Sequence, residues 1–186
     1  QTVSDANLWA KKSLGQNFLL DMNITRKIVR AAGDLNKKTV IEIGPGPGGL
    51  TRAILESKAT KVMAIEKDQR ALQALRPLQE LFQERLILIE ADALETDLAS
   101  LGTMPRSVIA NLPYNIATPL LIQWLQSRDK ISDMTLMFQK EVADRLYAAS
   151  DTRTYGRLSV FTQWHAQVEH VLTLGPSAFV PPPKVS

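Results

Sequence analysis

Thr39-Val-Ile-Glu-Ile-Gly-Pro-Gly-Pro-Gly-Gly49 is the stretch on which the fold turns. Its first five residues form a short run of β-prone side chains with no turn former, the pattern of a strand covered on both faces. The run empties into a glycine–proline turn, and a helix follows from about Gly49 to Ser57. Gly44, Gly46 and Gly49 keep the G-x-G-x-x-G spacing, and Glu66 lies about twenty residues further on, where a second strand ends. That layout brings backbone close to a ligand and sets a carboxylate beside it.

Working outward, the same alternation recurs. Asp21-Met22-Asn23 reads as a helix start, with Ile24, Ile28 and Ala32 at helical spacing and Gly33 as its stop. Lys61–Ile65 reads as a second strand, followed by a helix from about Asp68 to Leu75 that ends near Pro77. Leu86–Ile89 and Ser107–Ala110 read as further strands, then a helix over Pro119–Gln126. Met134–Phe138 is a fifth strand, with a helix over Glu141–Ala149. Short apolar strands alternating with helices predict an α/β fold, a mostly parallel sheet with helices on both faces.

In such sheets, ligands sit beyond the carboxyl ends of the strands. Those positions hold the glycine turn, Glu66, Ala91-Asp92, Asn111-Leu-Pro-Tyr114 and Gln139-Lys-Glu141. The glycine spacing with Glu66 serves nicotinamide and flavin dinucleotides as well as S-adenosylmethionine. Glu42 inside the first strand shifts the reading toward S-adenosylmethionine, because a dinucleotide fold keeps that position apolar. Pro45 and Pro47 agree, since a loop with no pyrophosphate to cradle need not offer every N–H. Asp92 is placed either to accept from the cofactor's adenine amine or to cap the following turn.

Asn111-Leu112-Pro113-Tyr114 is the most specific feature of the chain. An exocyclic base amine is a poor nucleophile, because its lone pair is delocalised into the ring. The Asn111 side-chain oxygen and the Leu112 carbonyl can each accept one of its N–H groups and aim the lone pair at a methyl donor. Pro113 fixes the turn, and Tyr114 offers a face on which a flipped base stacks. Alignment and acceptors matched to developing positive charge would supply the rate, without a strong general base.

The composition suits one globular domain of 186 residues, with no apolar run of bilayer length. It holds no cysteine, which excludes disulfides, zinc knuckles and thiol nucleophiles. Seven Lys/Arg stand against three Asp/Glu in residues 1–38, and 15 against 16 in the rest, so the excess of positive charge lies at the N-terminus. A basic arm beside a near-neutral body suits a polyanion such as RNA. His165 and His170 have no partners at metal-ligand spacing, so no metal is expected; Trp124, Trp164 and the methionines at 63, 134 and 137 read as core. Arg153 and Arg157 suit either phosphate contact or a solvated loop.

Taken together, the chain resembles the ribosomal RNA adenine dimethyltransferase family, which makes dimethyladenosine at two adjacent adenines near the 3′ end of small-subunit RNA. The resemblance rests on Lys12-Ser-Leu-Gly-Gln-Asn-Phe-Leu19, Glu42–Gly46, Asn111–Ile116, Phe138-Gln-Lys-Glu-Val142, Tyr155-Gly-Arg-Leu-Ser159 and Phe179-Val-Pro-Pro-Pro-Lys-Val185, in the family's order. It implies a Rossmann-like S-adenosylmethionine-dependent fold, with Asn17, Leu19, Gly44, Gly46, Glu66, Asp92 and Asn111 at the cofactor. Tyr114 and Phe179 would sandwich the target base, and Gly15–Leu19 would be the lid within an arm over residues 1–20.

The resemblance further implies a catalytic domain over 21–186, a partner in small-subunit ribosomal RNA or its assembling particle, and a cytoplasmic or organellar monomer away from membranes. Chains of the family continue past Lys184-Val-Ser186 into another strand and a small helical domain, so the sheet is expected to lack its last strand. The rival readings are a large-subunit RNA adenine methylase of the macrolide-resistance type, and an RNA- or DNA-binding assembly or transcription factor on the same fold. A dehydrogenase is more distant.

Overall fold

A computed structural model describes residues 17–183. Residues 1–16, most of the expected basic arm and lid, and Lys184-Val185-Ser186 lie outside the described residues. The chain runs β1 (Phe18–Leu19), α1 (Met22–Ala31), β2 (Thr39–Ile43), α2 (Gly49–Leu55), β3 (Lys61–Glu66), α3 (Gln69–Phe82) and β4 (Leu86–Glu90). It continues with β5 (Arg106–Asn111), α4 (Tyr114–Gln126), β6 (Asp133–Met137), α5 (Lys140–Leu146), α6 (Arg157–His165) and β7 (Phe179–Val180).

Five strands form a parallel sheet in the order β4-β3-β2-β5-β6, with β2 at its centre. Strand period two splits β2 between two cores. Val40 faces α1 and α2, together with Val62, Ala64 and Ile109. Ile41 and Ile43 face α4, together with Ile65, Val108, Ala110, Leu120 and Trp124. Covered faces on both sides are what a parallel sheet requires, and the expected fold class holds. No helix among the described residues is long and apolar enough to cross a membrane.

Several expectations need correction. Helix α3 does not stop near Pro77 but continues to Phe82. Leu78 and Phe82 pack onto the core under α2, and their burial offsets the hydrogen bond that proline removes. Helix α4 begins at Tyr114, not Pro119, with Pro113 accepting from the N–H groups of Ile116 and Ala117. Helix α5 ends three residues before Ala149, at Leu146.

Helix α6 was not foreseen at all. It buries Ser159 and Thr162 rather than an apolar stripe, and Ser159 Oγ donates to the Arg145 carbonyl while accepting from Gly156 N–H. A buried polar face leaves no hydrophobic period to read. On the same helix Trp164 is 79% exposed, so it is not core; Trp124, at 2%, is. Met63 is buried, but Met134 and Met137 are only half-buried. They lie on β6, which among the described residues pairs with β5 alone and forms the sheet edge. A groove of about 660 Å³ runs along it, between the end of α1, helices α5 and α6, and the segment 166–174.

Candidate active site

The second, two-stranded sheet positions the site. Antiparallel β1 and β7 set Leu19 against Phe179 and Phe18 against Val180, and this pair lies over the glycine turn. The Phe18 ring is so close to Gly46 that a β-carbon there would stand 2.9 Å from its edge. At Gly49 a β-carbon would meet the Leu19 carbonyl oxygen at 2.0 Å. Glycine is needed at Gly49 for close approach of two backbones, since that residue has no left-handed conformation to satisfy.

Beneath β1 lies a cavity of about 300 Å³ at the carboxyl ends of β2, β3 and β5. The structure brings Asn17, Leu19, Gly44, Gly46, Glu66, Asp92 and Asn111 together around it, with Pro113 at its rim. Glu66 is 8% exposed and its carboxylate is held from three sides. Lys67 N–H and Asp68 N–H donate to Oε1 at 2.9 Å, and Gly46 N–H donates to Oε2 at 3.2 Å. Burial pushes the Glu66 carboxyl above its ordinary range, and the three backbone donors pull it back.

Across the mouth, Lys67 Nζ pairs with Asp92 at 2.7 Å, while Leu94 N–H donates to the other Asp92 oxygen at 3.0 Å. The Lys67 contact, more than the backbone donor, holds the Asp92 carboxyl below its usual range. The turn-capping reading of Asp92 is seen in the Leu94 contact, and the same side chain lines the cavity. Lys67 was missed from sequence, although a cation next to a strand-end carboxylate was a readable signal.

Asn111 is the last residue of β5, and its Nδ2 donates to the Asn17 carbonyl at 2.8 Å. That bond takes one of the two Nδ2 N–H groups and turns the amide so that Oδ1 is left as the acceptor. Leu112, 2% exposed, anchors the turn in the core by its side chain. Tyr114 and Phe179 line the groove along β6 rather than the cofactor-sized cavity, and Asn111 alone of the expected cofactor residues lines both. Phe179 is 8% exposed, packed with Leu19 in the core that includes α1 and α2. Burial raises the Tyr114 phenol, so its hydroxyl stays neutral.

His165 and His170 stand apart from the cavity beneath β1. His165 Nδ1 bonds the Phe161 carbonyl at 2.8 Å, and His170 Nε2 bonds the Thr173 hydroxyl at 2.9 Å.

The glycine turn and the backbone-held Glu66 line one cavity, and the Asn-Leu-Pro-Tyr turn is shared between that cavity and the neighbouring groove. The model of the ribosomal RNA adenine dimethylase family matches residues 7–186. The chain belongs to this family.

A Rhodospirillum rubrum protein named ribosomal RNA small subunit methyltransferase A is 54% identical over 185 residues, which cover 100% of this chain and 64% of that protein. Its namesake in Paramagnetospirillum magneticum is 50% identical over 186 residues, covering 100% of this chain and 66% of the relative. The chain thus spans about two thirds of the length of these curated relatives. Among solved structures, a dimethyladenosine transferase from Plasmodium falciparum superposes with a TM-score of 0.79 at 34% identity, over 90% of this chain and 60% of that one. The 23S ribosomal RNA methyltransferase ErmE superposes at 0.75 and 29% identity, over 91% and 66%.

Proposed function

We propose that this chain carries the methyl-transfer site of an S-adenosylmethionine-dependent ribosomal RNA adenine dimethyltransferase. Its target would be two adjacent adenines near the 3′ end of small-subunit RNA. The observation that carries this reading is Asn111. It lines both the cavity under β1 and the groove holding Tyr114 and Phe179, and its amide nitrogen is turned to the Asn17 carbonyl.

The cavity fits the cofactor. Glu66 presents a fixed carboxylate to paired hydroxyls, Asp92 presents an acceptor for an amine, and Ile65, Ala93 and Ile116 supply flat apolar walls between them. S-adenosylmethionine, when bound, supplies a methyl group made electrophilic by its sulfonium charge. Asn111 Oδ1 then accepts one N–H of the adenine amine, with the Leu112 carbonyl as the second acceptor. Both strengthen as the nitrogen gains positive charge, which is when catalysis needs them. Tyr114 stacks on the base, with Phe179 reached on its other side once the base enters the groove.

Residues 1–20 are read as a basic arm and lid, and 21–186 as the catalytic domain. A monomer acting in the cytoplasm on the assembling small subunit fits this reading.

The test is to incubate the full-length natural protein with tritiated cofactor and with unmethylated small or large ribosomal subunits. Label in adjacent adenines of the small-subunit RNA is expected. Label confined to the large-subunit RNA would support the macrolide-resistance type instead, and RNA binding without label would support a non-catalytic factor.

A further inference from the structure

Glu42 has no part in the mechanism above, yet it lies in the wall of the same cavity. It is the fourth of the five residues of β2, paired in register with Ala64 and Ile109, and strand period two turns it toward the α2 side of the sheet. The side chain is 1% exposed, and its Oε2 has no hydrogen-bond partner. The Thr51 hydroxyl from α2 lies beside it and pulls the carboxyl down, short of full hydrogen-bond geometry and by less than burial raises it. A buried carboxyl in the wall of a ligand cavity, with one oxygen left without a partner, responds to the charge of whatever the cavity receives.

The charges around it say what that is. Glu66 on β3 and Asp92 after β4 are both carboxylates, and the Glu66 charge acts unfavourably on Glu42. Lys67 is committed to Asp92, and the Arg52 guanidinium of α2 donates to the Pro47 carbonyl. The contributions of β1 and β5 to the cavity, from Asn17 to Leu19 and at Asn111, carry no charge. No cation therefore faces Glu42 among the described residues, and burial without a counter-charge favours the neutral acid. A positively charged ligand entering the cavity reverses that preference.

We propose that Glu42 senses the charge on the bound cofactor: its carboxyl keeps a proton until a sulfonium ligand enters, releases that proton to solvent, and so favours the charged methyl donor over the neutral thioether product. The inference rests on the cofactor reading above. In the transfer itself one sulfur–carbon bond breaks, one nitrogen–carbon bond forms, and the methylated amine loses a proton to solvent. Glu42 then takes one proton back from solvent, because the sulfonium charge has been lost from the cavity. Product release is thereby assisted by the same side chain that secured the donor.

Calorimetry at pH 6.5, in two buffers of different ionisation enthalpy, tests this with S-adenosylmethionine and S-adenosylhomocysteine as ligands. The protein should release close to one proton per S-adenosylmethionine and none per S-adenosylhomocysteine. In Glu42→Gln the release should vanish. Should that variant fail to fold, the wild type alone decides: its preference for donor over product should rise about tenfold per pH unit from 6 to 7 and level off near pH 8, where the carboxyl ionises unaided. Equal proton counts for the two ligands, or a preference flat across that range, overturn the proposal. Absence of any S-adenosylmethionine binding instead overturns the cofactor reading, and this inference with it.

Discussion

Asn111 and Asn17, far apart in sequence, are joined by a 2.8 Å hydrogen bond from the Asn111 side-chain amide to the Asn17 backbone carbonyl. The bond fixes which end of the amide faces the groove. It ties the orientation of the proposed acceptor to the seating of β1 over the cofactor cavity, so the two cannot be disturbed separately.

Replacing Asn111 with Ala should therefore affect two measurements at once. Loss of the acceptor should lower methyl transfer by about 100- to 1000-fold. Loss of the Asn17 contact should weaken cofactor binding by about 1 kcal/mol. Single-turnover methylation and cofactor titration read the two effects. Unchanged methylation would remove Asn111 from the mechanism.

Gly49→Ala tests the seating of β1 directly. The new methyl group would stand 2.0 Å from the Leu19 carbonyl oxygen, a backbone atom with no rotamer to escape into. We expect about 1–3 kcal/mol of destabilisation, with cofactor affinity falling more than the melting temperature predicts. A protein melting and binding as the wild type does would mean that β1 does not pack there.

Tyr114 should be judged by its ring and not its hydroxyl. Tyr114→Phe keeps the stacking face and should methylate within a few-fold of wild type. Tyr114→Ala loses about 1–3 kcal/mol of base stacking, read as weaker use of RNA with cofactor binding unchanged. Equal damage from both variants would point to the hydroxyl.

Glu42 also makes a statement about stability. Burial raises its carboxyl from 4.5 to about 8, so the folded chain holds a proton that the unfolded chain gives up. The associated stability is fully present below pH 4.5 and is lost as pH climbs through about 8. Thermal melts from pH 5 to 8.5 should show a decline that Glu42→Gln flattens. A parallel decline in both proteins would assign it to other groups.

Much of this was readable because the parallel sheet announces itself in sequence. Strands covered on both faces are continuous apolar runs, and Thr39–Ile43 appears in the structure with the bounds its sequence suggested. The strand ends then located Gly44, Glu66, Asp92 and Asn111 in one cavity. Less legible were features decided by tertiary contact. Burial of Leu78 and Phe82 carried α3 through Pro77, and a polar buried face concealed α6. The β1–β7 pair is two residues per strand, too short for any period, and only its partner makes it a strand. Phe179 was singled out by resemblance as a base-stacking residue, and its place beside Leu19 in the core was not foreseen.

That same pair bears on when the protein becomes competent during its own synthesis. Phe18 and Leu19 are made some 160 positions before Phe179 and Val180. At roughly 5–20 residues per second, this separation is on the order of ten to thirty seconds of translation. Until then the roof of the cofactor cavity has no strand to hold it, however well the central sheet has formed. A nascent chain is thus kept from closing over its ligand until nearly all of the chain described here has been made.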